Sequence, residues 1–147
     1  MKLCIFSDSH GKIDRVRRMM ETVQADAYLF CGDGLGDLEN FPAPLYAVAG
    51  NCDWGSALPD VRLLELGGRR VLLTHGHRYR VKSDLYRLSL AAREQGAQVA
   101  VYGHTHIPNR MEDNGLLLLN PGALSGRPGT CLLLDTDTLE SKWVEVK

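Results

Sequence analysis

Five histidines and three oxygen-donating residues fall directly after short apolar runs along this chain. Met1 to Phe6 runs into Ser7-Asp8-Ser9-His10-Gly11, Ala27 to Phe30 into Cys31-Gly32-Asp33-Gly34, and Leu45 to Ala49 into Gly50-Asn51-Cys52-Asp53. Val71 to Leu73 runs into Thr74-His75-Gly76-His77, and Val99 to Tyr102 into Gly103-His104-Thr105-His106. No histidine lies outside these turns; scattered structural histidines would not be expected to collect there. A set mixing carboxylate, imidazole and one amide oxygen suits first-row divalent ions and disfavours an all-thiolate structural zinc site. Seven such donors, Asp8, His10, Asp33, Asn51, His75, His104 and His106, are too many for one tetrahedral ion and suit two ions that share a carboxylate. Two ions about 3.5–4 Å apart can generate a bridging hydroxide and clamp a phosphoryl group for in-line attack.

The elements that must position these residues are legible from periodicity. Ile13, Val16, Met20 and Val23 fall at helical spacing and predict a helix over about 12–24. Val81, Leu85, Leu88 and Ala92 predict a second helix over about 82–95, with Ser83 as its N-cap. Strand–helix–strand alternation calls for parallel pairing. Gly67-Gly68 between Val61–Leu66 and Arg69–Thr74 signals a hairpin, as do Asp113-Asn114-Gly115 and the turn at Asp135–Thr138. The C-terminal third therefore reads as antiparallel, and the whole as a mixed α/β sandwich of two sheets. Ligands of parallel sheets bind beyond the carboxyl ends of the strands, where all five turns lie.

Other residues carry plainer readings. His77, two residues past a donor, supports the site or faces substrate. Asp53 reads as a turn or supporting residue, Asn120-Pro121-Gly122 as a turn, and Cys4 and Cys31 as small core residues. Residues 61–93 hold eight Lys/Arg against two acids, mainly a solvated face, with Arg78 or Arg80 placed to steer an anionic substrate. Aromatic residues do not interleave with the basic ones in a way that suggests base stacking, so nucleic-acid binding is not supported.

Composition bounds the rest. With 147 residues, 44% hydrophobic, 24% charged and a net charge of −1, the chain fits a single domain over 1–147. It is too apolar for a disordered chain and too nearly neutral for a general nucleic-acid or membrane binder. No apolar run approaches the roughly 20 residues that span a bilayer, and no basic-then-apolar leader precedes the first strand. Four widely spaced cysteines fit reduced thiols in the cytoplasm better than two disulfides.

Taken in order, Asp8-Ser9-His10, Gly32-Asp33, Gly50-Asn51-Cys52-Asp53, Thr74-His75-Gly76-His77 and Gly103-His104-Thr105-His106 resemble the five motifs of calcineurin-like metallophosphoesterases. The Gly-Asn-Cys-Asp form and Asn120-Pro121-Gly122 are similar to the YfcE-type phosphodiesterases. The resemblance spans residues 3 to about 122. It implies a four-layer αββα sandwich of two mixed sheets flanked by helices. It also implies one metal on Asp8, His10 and His106, a second on Asn51, His75 and His104, and Asp33 bridging both. Mn²⁺ is the first choice, with Fe²⁺, Zn²⁺ or Ni²⁺ as alternatives. The expected activity is phosphodiester hydrolysis of a small-molecule substrate by attack of a metal-bridging hydroxide, with Asp33, Asn51 and His75 in catalysis and His77 and Arg78 on the substrate. Phosphomonoesterase, dinucleoside polyphosphate hydrolase, nuclease and a non-catalytic scaffold like the retromer subunit of this fold are the alternatives. The resemblance is compatible with a homodimer or larger homo-oligomer. Cys52 stands where many members carry histidine beside the leaving group, so it is either a site-lining thiol or a spacer.

Overall fold

Runs of leucine, valine and isoleucine that are apolar on both faces are buried on both faces, which requires layers on either side of each sheet. The computed structural model describes residues 1–42 and 44–147. In chain order the elements are β1 (Lys2–Phe6), α1 (Ile13–Thr22), β2 (Ala27–Phe30), β3 (Leu45–Ala47), β4 (Val61–Leu66), β5 (Arg69–Thr74), α2 (Tyr86–Glu94), β6 (Val99–Val101), β7 (Asn109–Asp113), β8 (Leu116–Asn120), β9 (Gly129–Asp135) and β10 (Ser141–Val146). They form two five-stranded mixed sheets, ordered β10-β9-β1-β2-β3 and β4-β5-β6-β8-β7.

The period of two along each strand divides its side chains between cores. Leu3 and Ile5 of β1 face Leu117 and Leu119 of β8 in the core between the sheets. Cys4 and Phe6 point the other way, toward Val16 and Met19 of α1. Leu116 and Leu118 pack with Leu88 and Ala92 of α2 on the outer face of the second sheet. Three cores thus separate four layers, the αββα sandwich expected. Met19, fully buried, carries the inward face of α1, while Met20 is only partly covered.

Pairing follows the connections. β1, β2 and β3 are mutually parallel, as are β5, β6 and β8, while β4–β5, β7–β8 and β9–β10 are hairpins. Two expectations need correction. The C-terminal third is not purely antiparallel, because β8 lies parallel to β6. The second helix starts at Tyr86 without a Ser83 cap. Asp84 Oδ1 accepts the Tyr86 N–H at 3.0 Å, and Val81, buried ahead of the helix, ties the preceding segment down. β9 inserts beside β1 in the first sheet, so the C-terminal hairpin closes the sheet that the N-terminus opens.

Leu119→Ala removes a fully buried side chain from the inter-sheet core. It should lower the unfolding free energy by about 2–5 kcal/mol in urea denaturation; a loss under about 1 kcal/mol would contradict this packing.

Candidate metal centre

The parallel strands β1, β2, β3, β5 and β6 all deliver their C-terminal loops to one end of the sandwich, so the site straddles the inter-sheet core. Asp8 follows β1 and is 0% exposed; Asp33 follows β2 and is 3% exposed; His75 follows β5 and is 0% exposed. The loops cross-brace one another through the backbone. Asp8 N–H donates to Gly32 O at 2.9 Å, His10 N–H to Asp33 O at 3.1 Å, and Gly103 N–H to His75 O at 3.0 Å.

The glycine before each donor in the middle and last motifs answers to crowding. A Cβ on Gly50 would lie 2.6 Å from Asp33 N, and one on Gly103 would lie 2.7 Å from Asp8 Oδ2. The donors themselves bend the chain sharply. Asp8, His10, Asp33, His104 and His106 have φ of 54°, 45°, 64°, 69° and 65°, a left-handed conformation that costs energy for L-residues and is held by surrounding structure.

Donor atoms converge as the spacing predicts, with one exception. His75 Nε2 lies 3.2 Å from both Asp8 Oδ1 and Asp33 Oδ2. His106 Nε2 is 3.1 Å and His10 Nε2 3.3 Å from Asp8 Oδ1. Three triads each have donor atoms within 4.8 Å of one another: Asp8, His10 and His106; Asp33, His75 and His104; and His10, Asp33 and Cys52. The first triad holds the residues expected for one metal, the second holds His75, His104 and Asp33 but not the expected Asn51, and the third puts the Cys52 thiol beside His10 and Asp33. Asn51 is exposed, and its side-chain hydrogen bond goes to Cys52 Sγ at 3.8 Å rather than into the cluster.

Charge decides what the cluster can hold. Two buried carboxylates face imidazoles here, and no Lys or Arg among the described residues pairs with either. Burial opposes their ionisation, yet the hydrogen bonds and charge of His75 outweigh it. Asp8 is held below the ordinary carboxylate range, and Asp33, which also accepts the Cys52 N–H at 2.8 Å, well below it. Burial disfavours a charged His75, but Asp33 and Asp8 raise it to about 9. Burial and then the charges of His75 and Lys82 lower His104 to about 4. Without metal, these shifts favour a charged His75 between the two carboxylates and a neutral His104 with a lone pair to donate. This donor chemistry fits divalent cations, which would supply the missing positive charge.

The two residues named for substrate contact are engaged with other side chains. His77 Nδ1 lies 3.0 Å from His75 Nδ1, and its Nε2 is 3.6 Å from Asp60 Oδ2. Arg78 makes a two-pronged pair with Asp60, at 3.0 and 2.8 Å, so its charge is already matched. Burial keeps His77 below the ordinary histidine range, and the charge of His75 adds to this. Cys52 is pushed up by burial and by the Asp33 carboxylate, which favours the thiol over the thiolate.

Two supporting carboxylates do more than the sequence suggested. Asp53 accepts four backbone N–H groups, from Asp33 at 2.7 Å, Gly34 at 2.9 Å, Leu35 at 3.0 Å and Gly50 at 2.7 Å, locking the second motif loop to the third. Asp37 accepts from Ser9 Oγ at 2.6 Å and Gly11 N at 2.9 Å, which ties the first loop to the 3-10 turn at Leu35–Leu38. Its only sequence signal was an Asp four residues past Asp33. Buried Asn120 donates to Gly103 O at 3.2 Å and Thr105 Oγ1 at 3.0 Å and accepts from Gly122 N at 2.8 Å, so that turn steadies the last motif.

Comparison with known proteins agrees with this geometry. Residues 1–139 match the calcineurin-like phosphoesterase superfamily domain. The chain is 37% identical over 129 residues to the probable metallophosphoesterase YsnB of Bacillus subtilis, covering 84% of this chain and 75% of that one. It is 29% identical over 173 residues to the phosphodiesterase YfcE of Escherichia coli, covering 95% and 90%. The solved structure of an archaeal phosphodiesterase superposes with a TM-score of 0.83 at 25% identity, covering 99% of this chain and 100% of that one.

Linkage fixes how the metal-stripped protein should respond to pH. His75, raised from 6.5 to about 9, contributes stability that is complete below pH 6.5 and lost as pH rises through about 9. His104, lowered from 6.5 to about 4, contributes stability that is complete above pH 6.5 and lost as pH falls through about 4. The lowered Asp8 and Asp33 add to the acid-side loss. Chelator-treated protein should therefore have its highest Tm near pH 6.5; a Tm still climbing from pH 7 to 9 would contradict the charge assignment.

Proposed function

This chain belongs to the calcineurin-like phosphoesterase superfamily, and from that premise we propose that it is a dinuclear metal-dependent phosphodiesterase acting on small-molecule phosphoesters. The observation that carries the reading is the pair of donor triads around the buried carboxylates Asp8 and Asp33. Asp8, His10 and His106 would hold one ion, His75, His104 and Asn51 the other, and Asp33 both, with Mn²⁺ the first choice for so oxygen- and nitrogen-rich a set. Bound there, two ions would acidify a water to act as nucleophile and neutralise the phosphoryl oxygens as the ester P–O bond breaks. For Asn51 to join, its amide would turn from Cys52 toward the cluster.

The protein's own groups orient and protonate. His75 must present its Nε2 lone pair, which leaves the proton on Nδ1, facing His77 Nδ1; His77 Nε2–H then points to Asp60. The His77 contact would hold one ligand ring, which makes His77 a positioning residue, with the Asp60 carboxylate 3.6 Å from its far nitrogen. Arg78 holds Asp60 in place through its two-pronged contact. Cys52, exposed beside His10 and Asp33, would face the leaving oxygen in this reading, and a thiol is a weaker proton donor there than an imidazolium. Four free cysteines, three of them buried, fit a reducing cytoplasmic setting. Two buried carboxylates that only imidazoles meet among the described residues favour a metal-loaded catalytic site over a non-catalytic scaffold.

Hydrolysis of bis-p-nitrophenyl phosphate by chelator-stripped protein should appear on adding Mn²⁺. It should fall at least about 100-fold in Asp33→Ala, since partners outside the ligand shell already cost up to about 100-fold. Rates should rise steeply as the leaving-group pKa falls, less so in Cys52→His. No turnover with Mn²⁺, Fe²⁺, Zn²⁺ or Ni²⁺, or equal turnover in Asp33→Ala, would overturn the reading.

A further inference from the structure

Trp54 is 90% exposed, immediately after the motif that carries Asn51, Cys52 and Asp53. An indole left in water forgoes the burial that usually accompanies so large a side chain. The other tryptophan, Trp143, is 40% exposed and donates its Nε1–H to Asn120 O. No aromatic ring among the described residues stacks on Trp54.

Nor does Trp54 ride on slack chain. The Asp53 carboxylate beside it accepts four amide N–H groups, Asp53 N–H donates to Gly50 O at 3.1 Å, and Ser56 N–H donates to Asp53 O at 3.4 Å. The indole is therefore carried by one of the most firmly tied turns at the site. It forms one wall of an open cleft of about 560 Å³ whose other walls include Leu35, Gly36, Gly55 and Cys52. Cys52 also belongs to the triad with His10 and Asp33, whose donor atoms lie within 4.8 Å. A phosphoryl group held by ions on Asp33 and His10 would have room to turn its ester substituent past Cys52, toward the opening of this cleft. The lining also includes Asp53 and Ser56 and no basic residue, so it offers nothing to pair with a second anionic group, and the indole is its one large apolar face.

We infer that Trp54 is a stacking platform for a planar aromatic group carried by the phosphoester, an aryl ring or a nucleobase. The inference rests on the phosphoesterase reading and narrows its substrate class. An aromatic ring on Trp54 would be anchored independently of the phosphoryl group, so it would add affinity and hold the ester in one orientation.

The test reads binding without turnover. Zn²⁺-loaded protein is titrated calorimetrically with phenylphosphonate against methylphosphonate, and with adenosine 5′-monophosphate against ribose 5-phosphate. Indole fluorescence is followed in parallel, with Trp143 as the internal reference. At least one aromatic ligand should bind about tenfold or more tighter than its partner, the range expected for one stacked ring, and should quench indole emission saturably. The preference should vanish in Trp54→Ala and largely return in Trp54→Phe, and the quenching should be absent from both. The phenyl and adenosine arms separate aryl from nucleobase substrates. Equal binding within both pairs, no binding by any of the four, or a preference that survives Trp54→Ala would overturn the inference. A preserved preference in a protein that hydrolyses no diester would overturn the phosphodiesterase reading alone. Turnover without the preference would overturn the Trp54 inference alone.

Discussion

Asp8 and Asp33 are carboxylates at 0% and 3% exposure, both within 3.2 Å of one imidazole nitrogen. Burying two negative charges side by side is costly unless positive charge meets them. Among the described residues the chain offers them imidazoles alone. A protein that needed these groups only for stability would be better served by apolar side chains of similar volume. The arrangement makes sense as a vessel for cations, and most of the local architecture follows from keeping that vessel in shape while it repels itself.

The shape is kept by backbone more than by side chains. Five donors sit in left-handed conformations that an isolated chain would rarely adopt, and three layers of support hold them there. Glycines let the loops approach closely at Gly50 and Gly103. Asp53 collects four amides of the bends, and Asp37 collects the Gly11 amide together with the Ser9 hydroxyl. Beneath them lie the strands, whose parallel order brings five carboxyl ends to one edge. Because loops from both sheets contribute, the two sheets must stay in register with each other. The leucine-rich core of β1, β8 and their neighbours therefore belongs to the functional design as well as to the fold.

Much of this was legible before any coordinates. The strand ends could be read because apolar runs stop abruptly at glycine, histidine and aspartate, and the donor set because metal chemistry is selective about residue type. What escaped was long-range or cooperative. Nothing local says that Cys131–Leu134, besides pairing with the strand that follows it, also pairs with the first strand. The four amides on Asp53 depend on two loops meeting, so the sequence shows only an acid in a turn. Ser83 looked like a cap, but Asp84 and the anchored Val81 moved the helix start. Arg78 looked free in a basic stretch, yet Asp60, eighteen residues earlier, claims it. Exposure of Trp54 is likewise a property of the folded surface and leaves no periodic trace.

The most direct test of the account is the number of divalent ions the protein retains. Chelator-stripped protein equilibrated with Mn²⁺ or Zn²⁺, freed of excess ion and assayed for metal per chain should hold two ions. Asp33→Ala, lacking the shared carboxylate, should hold no more than one. A single ion in the unaltered protein, or two ions undiminished by Asp33→Ala, would contradict a centre built around Asp33.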